Sequence, residues 1–123
     1  MERVNRITFA MAYRLARKYN KRICNNTSVE VPENGTYFLY FNSLCEPMGF
    51  VISPDGELTN LFSEGKGHGD YLVSRALQRG ATHLDCFDGY LVELYKKHGF
   101  EEYKRELNWT AGEPPVVYMK LGE

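Results

Sequence analysis

The stretch Glu64-Gly65-Lys66-Gly67-His68-Gly69 has the residue types and spacing to do chemistry. Three glycines within five residues let the backbone turn tightly and approach a ligand with no Cβ in the way. An amphipathic run follows from Asp70, so the loop opens a helix. The unpaired N–H groups and positive dipole end of that helix face the loop, which suits a phosphate or pyrophosphate. Lys66 is placed to add a charge-assisted contact. The loop is not a Walker A motif, because no Gly-Lys-[Ser/Thr] ends it. Other reactive side chains are dispersed. Cys24, Cys45 and Cys86 form no C-x-x-C pair, and His68, His83 and His98 form no i, i+4 pair, so no metal site is expected. Odd, scattered cysteines point to a reducing compartment, the cytoplasm. There the four N-x-[Ser/Thr] sequons at Asn25, Asn26, Asn34 and Asn108 mark only polar turns.

The elements that must hold this loop follow from periodicity. Val4, Ile7, Met11 and Leu15 form a helical stripe, which predicts a helix from about Val4 to Tyr19 with that stripe docked on a sheet. Asn25-Asn26-Thr27-Ser28 reads as a loop. Thr36–Phe41, Gly49–Ile52 and Glu57–Phe62 read as three strands, separated by turn formers that include Pro54-Asp55-Gly56, hence an antiparallel meander. A helix over Asp70–Gln78 ends at Gly80, Thr82–Phe87 alternates as a strand, and a helix opened by Asp88-Gly89 ends at Gly99. Tyr103–Trp109 and Val116–Met119 complete the strands. The order α, β, β, β, α, β, α, β, β predicts an α/β (α+β) fold with a mixed, mostly antiparallel central sheet flanked by helices. A Rossmann fingerprint would need a parallel sheet from the start of the chain.

With 123 residues, 43% hydrophobic and 14% aromatic, the sequence has the material for one domain over 1–123 and is too rich in aromatics to be disordered. No apolar run nears the roughly 20 residues of a membrane span, and charges interrupt Met1 to Arg22 too often for a secretory signal. No membrane partner is expected. The net charge of −1 hides an asymmetry. Residues 1–22 carry seven basic side chains against Glu2, a net +6, and the remainder sums to −7. Docking of the first helix on the sheet would make this a solvated helix face, so nucleic-acid binding is the least favoured reading.

The glycine loop, in its place after a strand and before a helix, resembles the pyrophosphate loop of the GNAT superfamily of N-acetyltransferases, [Gln/Arg]-x-x-Gly-x-[Gly/Ala]. Gly67-His68-Gly69 fits the Gly-x-Gly part. Leu94-Tyr95-Lys96-Lys97-His98-Gly99-Phe100 is similar to the family's helix-ending Leu-Tyr-x-x-x-Gly-Phe, and Val116 to Leu121 to its last strand. The resemblance spans Gly49 to Leu121. It implies acetyl-CoA as co-substrate, with an amine acceptor attacking the thioester directly and no metal. It further implies that Leu61, Phe62 and Ser63 pair with the pantetheine arm. Gly65, Lys66, Gly67, His68, Gly69 and Asp70 would hold the pyrophosphate. Tyr95 would be the acid for the departing thiolate, as a neutral phenol of pKa near 10 can be. Glu46, Glu57, Asp85 and Glu93 are the candidate bases by type. Cys86 suits a buried strand position better than a nucleophile's. The acceptor is left open between small molecule and protein, and a homodimer is admitted.

Three positions depart from the family pattern. Glu64 stands where Gln or Arg is usual, Asp70 follows the loop, and Asp88 replaces an asparagine; the region ahead of the meander is also abbreviated. Two carboxylates flanking an anion site cost energy. The alternative is therefore a protein of this fold that binds a partner without catalysis.

Overall fold

The computed structural model describes residues 3–21, 23, 30–108 and 110–122. Seven strands form one sheet: β1 (Arg3–Val4), β2 (Thr36–Phe41), β3 (Pro47–Ile52), β4 (Glu57–Ser63), β5 (His83–Phe87), β6 (Phe100–Glu106) and β7 (Val116–Leu121). Their order in the sheet is β1-β2-β3-β4-β5-β7-β6, antiparallel except for β4 against β5. Helix α1 (Arg6–Tyr19) covers one face; α2 (Gly69–Gln78) and α3 (Tyr90–Lys97) cover the other. The fold is thus mixed α+β, a mostly antiparallel central sheet flanked by helices. The loop expected at Asn25 to Ser28 lies outside the described residues, as does Trp109 at the end of an expected strand.

Start and stop signals behave as their chemistry dictates. The Asn5 side chain accepts a hydrogen bond from Thr8 N at 2.8 Å and caps α1. Gly80 and Gly99 adopt φ of +99° and +97° just beyond α2 and α3, the left-handed geometry that ends a helix. Asn42 accepts from the backbone N–H of Leu44 and of Glu46, both at 2.9 Å, and folds the β2–β3 loop around its own amide.

Helix α1 is rotated away from its expected orientation. Val4 is in strand β1, paired to Tyr37, and the helix starts after Asn5. Its buried face is Phe9, Ala10, Tyr13 and Ala16, whereas Ile7, Met11 and Leu15 point outward. Both sets repeat at helical spacing, and the aromatic set wins on packing. Phe9 stacks with Tyr13 at 5.5 Å between ring centroids and meets Phe62 edge-on at 5.7 Å. Gly49 of β3 lies beneath this cluster: a Cβ there would fall 2.2 Å from the Phe38 carbonyl oxygen of β2 and 3.2 Å from the Phe9 ring, so strand and ring both close over it. The strand expected over Tyr103–Trp109 is shifted back to Phe100–Glu106, so it begins directly after Gly99.

The larger cluster on the other face joins Phe38, Phe50, Leu58, Leu72, Val73, Leu84, Tyr95, Phe100 and Met119. It fastens α2 and α3 to the middle of the sheet, and so fixes both helix ends that border the glycine loop.

Candidate functional site

Strand β4 makes the site by leaving its neighbour. It pairs with β5 only through Glu57–His83 and Leu58–Leu84, and β5 then continues along β7 as far as Phe87. From Thr59 onward the β5 side of β4 has no strand alongside. Against β3, β4 carries an extra residue: Val51 faces Thr59 and Gly49 faces Phe62, which leaves Asn60 and Leu61 opposite Phe50 alone. Asn60 takes φ +54° in this bulge, and its side chain donates to the Glu30 carbonyl at 2.7 Å. The extra residue reverses the side-chain alternation. Leu58 therefore faces the α2/α3 core and Phe62 the α1 core.

The split opens a cleft with two lobes that share Leu61 and Leu91. The lobe of about 800 Å3 is lined by Leu61, Phe62, Ser63, Gly65, Gly67, His68, Gly69 and Asp70, facing Glu93, Leu94, Lys96 and Lys97 of α3. Each glycine of the loop answers a different constraint. A Cβ on Gly65 would fall 2.7 Å from Asn42 Nδ2 and 2.9 Å from Glu46 Oε1; one on Gly69 would strike Leu94 at 2.9 Å. Gly67 has φ +83° and nothing within 4 Å of its Cβ position, so backbone conformation and not lack of space calls for glycine there. The loop is tied down by Glu64 N donating to the Pro47 carbonyl at 3.0 Å and Ser63 Oγ donating to the Gly65 carbonyl at 2.6 Å. No side chain caps α2, and its first helical bond is Leu72 N to the His68 carbonyl. The first-turn N–H groups thus precede the first intrahelical bond, and Gly69 and Asp70 of that turn line the lobe.

The two worrying carboxylates lie differently from one another. The Glu64 side chain lines neither lobe. Asp70 lines the loop lobe, but the end of α3 holds it: His98 Nε2 lies 2.8 Å from Oδ1 and Lys97 Nζ 3.1 Å. These hydrogen bonds, His98 first and then Lys97, lower its pKa. Lys66 is exposed and lines neither lobe. Asp88 also stands outside the cleft, bonded to Arg105 at 2.8 Å.

Tyr95 belongs to the other lobe, about 1130 Å3, with Leu58, Thr59, Leu61, Asp85, Cys86, Leu91 and Val116, and with Arg14 at its rim. The ring packs edge-on against Phe100, and burial, then Cys86, Tyr90 and Asp85 nearby, push its pKa up. The phenol therefore stays protonated at neutral pH. The same burial makes complete proton release costly, so its contribution to an anion is a donated hydrogen bond. Burial, with the charges of Asp85, Asp88 and Glu102, pushes the Cys86 thiol up to about 12, which leaves almost no thiolate to act as a nucleophile.

Among the four candidate bases, Asp85 lines the Tyr95 lobe; Glu93 lines the loop lobe, and Glu46 accepts from Asn42 Nδ2 beneath the loop. Surrounding protein raises the pKa of Asp85 by desolvation. Glu57 is raised by its own burial and by the charge of Asp85. The reading from sequence missed Thr59, Leu91 and Arg14 as cleft residues. Thr59 Oγ1 is a buried side-chain oxygen with no hydrogen-bond partner among the described residues. The apolar spacing of Leu91, Leu94 and Tyr95 signalled a core face, and that face proves to be half core and half cleft wall.

Among the described residues, no cluster of His, Cys, Asp and Glu could hold a metal ion, and no helix is long and apolar enough to cross a membrane. Neither a protein-family model nor the sequence of a curated protein matches this chain.

Proposed function

We propose that the chain is a GNAT-type N-acetyltransferase that moves an acetyl group from acetyl-CoA to an amine. One observation carries this: the edge of β4 left bare beyond Leu58 runs directly into an uncapped helix N-terminus at a glycine loop, in the cleft that also reaches Tyr95. An extended polyamide arm ending in a pyrophosphate has this shape and these hydrogen-bonding needs. The glycine loop and the donor N–H groups at the start of α2 suit a phosphate, with Lys96 on the facing wall. Acetyl-CoA supplies an activated thioester, and the chain supplies orientation and charge control. Leu61 to Ser63 hold the arm in line, Tyr95 donates a hydrogen bond to sulfur as charge develops there, and Asp85 takes the amine's proton directly or through water. The acceptor is an amine on a small molecule or a protein, and the free thiols Cys45 and Cys86 suit action in the cytoplasm.

The test is thermal unfolding with and without acetyl-CoA. Binding confined to the native state raises Tm, by about 2.7 kcal/mol of stability at a hundredfold excess over Kd. Gly67→Asp should abolish the shift, and Tyr95→Phe should slow turnover while preserving it. No shift at millimolar acetyl-CoA rejects the proposal. A second reading, a partner-binding protein of the same fold without catalysis, is favoured by one observation. Lys66 lies off the cleft and Lys97 is committed to Asp70, so few cations attend the loop. An unaltered Tyr95→Phe protein that binds its partner without CoA would support it.

A further inference from the structure

Helix α1 has a second apolar face with nothing on it. Ile7, Met11, Leu15 and Tyr19 are 70%, 63%, 56% and 75% exposed, at successive i, i+4 positions. They form a ridge about 18 Å long that winds through about 120° of the helix surface. The opposite face is held in the core by Phe9, Tyr13 and Ala16, so the helix is already formed and oriented with this ridge outward. Single exposed apolar residues are ordinary; four aligned on one helix form an interaction surface. The helix has no acidic residue, and of its four cations Arg14 and Lys18 are exposed, whereas Arg6 donates to the carbonyls of Val31 and Pro32.

We propose that the outward face of α1 docks on an anionic lipid surface, lying in the interface plane with Ile7, Met11, Leu15 and Tyr19 in the acyl boundary. The charge decides against the nearest competitor, a second copy of this chain. Pairing α1 with α1 would set two wholly basic helices side by side and repel. The charge of an anionic headgroup layer is matched by the exposed cations Arg14 and Lys18 beside the ridge. The residues at its end suit an interface too. The Lys18 ammonium lies 5.3 Å from the centre of the Tyr19 ring, an arrangement in which the apolar stem and ring can sink while ammonium and hydroxyl stay among headgroups. Docking of this kind needs no membrane-spanning segment. It requires an apolar face together with attraction to anionic lipid.

The experiment is co-sedimentation of the full chain with vesicles of phosphatidylcholine alone and of phosphatidylcholine with about 30% phosphatidylglycerol, at low and high salt. Binding is expected only with phosphatidylglycerol. It should weaken with salt and with Lys18→Gln, and fall at least about tenfold in Met11→Glu/Leu15→Glu, with Tm unchanged because both positions are exposed. If the double variant fails to fold, Met11→Ser alone carries the same expectation. No binding to phosphatidylglycerol vesicles overturns the proposal, as does binding that these variants leave intact. A lipid-free dimer of the wild type that the double variant splits overturns it too, in favour of a second copy.

Discussion

The orientation of α1 can be tested by two truncations on opposite faces of one helix. Phe9 has no exposed surface and touches the rings of Tyr13, Tyr37 and Phe62, and its ring closes over Gly49. Phe9→Ala leaves a ring-sized void between a helix and a sheet that cannot close on it, so the cost should be about 3–5 kcal/mol. Met11, one turn-half away, is 63% exposed. Met11→Ala removes little buried surface and substitutes a better helix former, so its effect should stay within about 0.5 kcal/mol. Domains of this size are stable by about 5–15 kcal/mol, so Phe9→Ala consumes a large share and can leave the chain partly unfolded. Phe9→Leu is the milder companion. At roughly 4 °C per kcal/mol for a chain of this length, Phe9→Ala should lower Tm by about 12–20 °C and Met11→Ala by less than about 2 °C. Thermal and urea unfolding followed by far-UV circular dichroism read both. A loss above about 1 kcal/mol for Met11→Ala, with Phe9→Leu near neutral, would refute the packing described for α1.

Three other expectations concern the cleft. In a variant with Cys24 and Cys45 replaced by serine, Cys86 should react very slowly with maleimide at pH 7, and its rate should climb about tenfold per pH unit toward its pKa of about 12; rapid labelling at neutral pH would contradict a buried thiol. Partial desolvation by the protein around it raises the folded pKa of the solvent-exposed Asp85 above the reference 3.8, so its contribution to stability is greatest below the unfolded pKa and declines as pH rises through the folded one. Asp85→Asn should therefore be more stable than wild type at pH 7, with the advantage gone below about pH 4, and a variant less stable at pH 7 would refute this. Gly67→Ala meets no atom within 4 Å but must hold φ +83°, so backbone strain alone should cost about 1–2 kcal/mol, measured by urea titration; a neutral result would mean the loop takes another conformation.

Strands and helix stops were legible because their signals are local. Gly80 and Gly99 act within one turn of themselves, and the meander follows from three β-rich runs broken by turn formers; the cap at Asn5 is equally local, yet the apolar stripe through Val4 hid it. The face of α1 was not legible, since Ile7-Met11-Leu15 and Phe9-Tyr13-Ala16 both have helical spacing. What decides between them lies far along the chain, where Phe62 of β4 meets the rings of both Phe9 and Tyr13. The glycine loop was readable as a loop, but the direction of its side chains was not. Lys66 turns out of the cleft, and Asp70, although in it, is held by Lys97 and His98 from a helix end that lies next to it only in the fold.

The bulge in β4 bears most on function, and the sequence carries a trace of it. Strict alternation from Leu58 would put Asn60 and Phe62 on the same face as Leu58, with Thr59 and Leu61 opposite. In Leu58-Thr59-Asn60-Leu61-Phe62 that alternation would turn polar Asn60 into the α2/α3 core and Phe62 away from Phe9 and Tyr13. One added residue resolves the conflict: Leu61 packs toward the α2/α3 core and Phe62 toward Phe9 and Tyr13. Asn is among the non-glycine residues that most readily take the positive φ required, and Asn60 sits there. The bulge also bends β4 as it parts from β5, and so converts a packing conflict into an opening. The cleft is therefore a consequence of how β4 divides its side chains between two cores. Deleting Asn60 would leave Leu58 and Leu61 on the α2/α3 face and Phe62 on the α1 face in regular alternation, so it should draw β4 toward β5 and close the cleft while Phe62 keeps the contacts that hold α1.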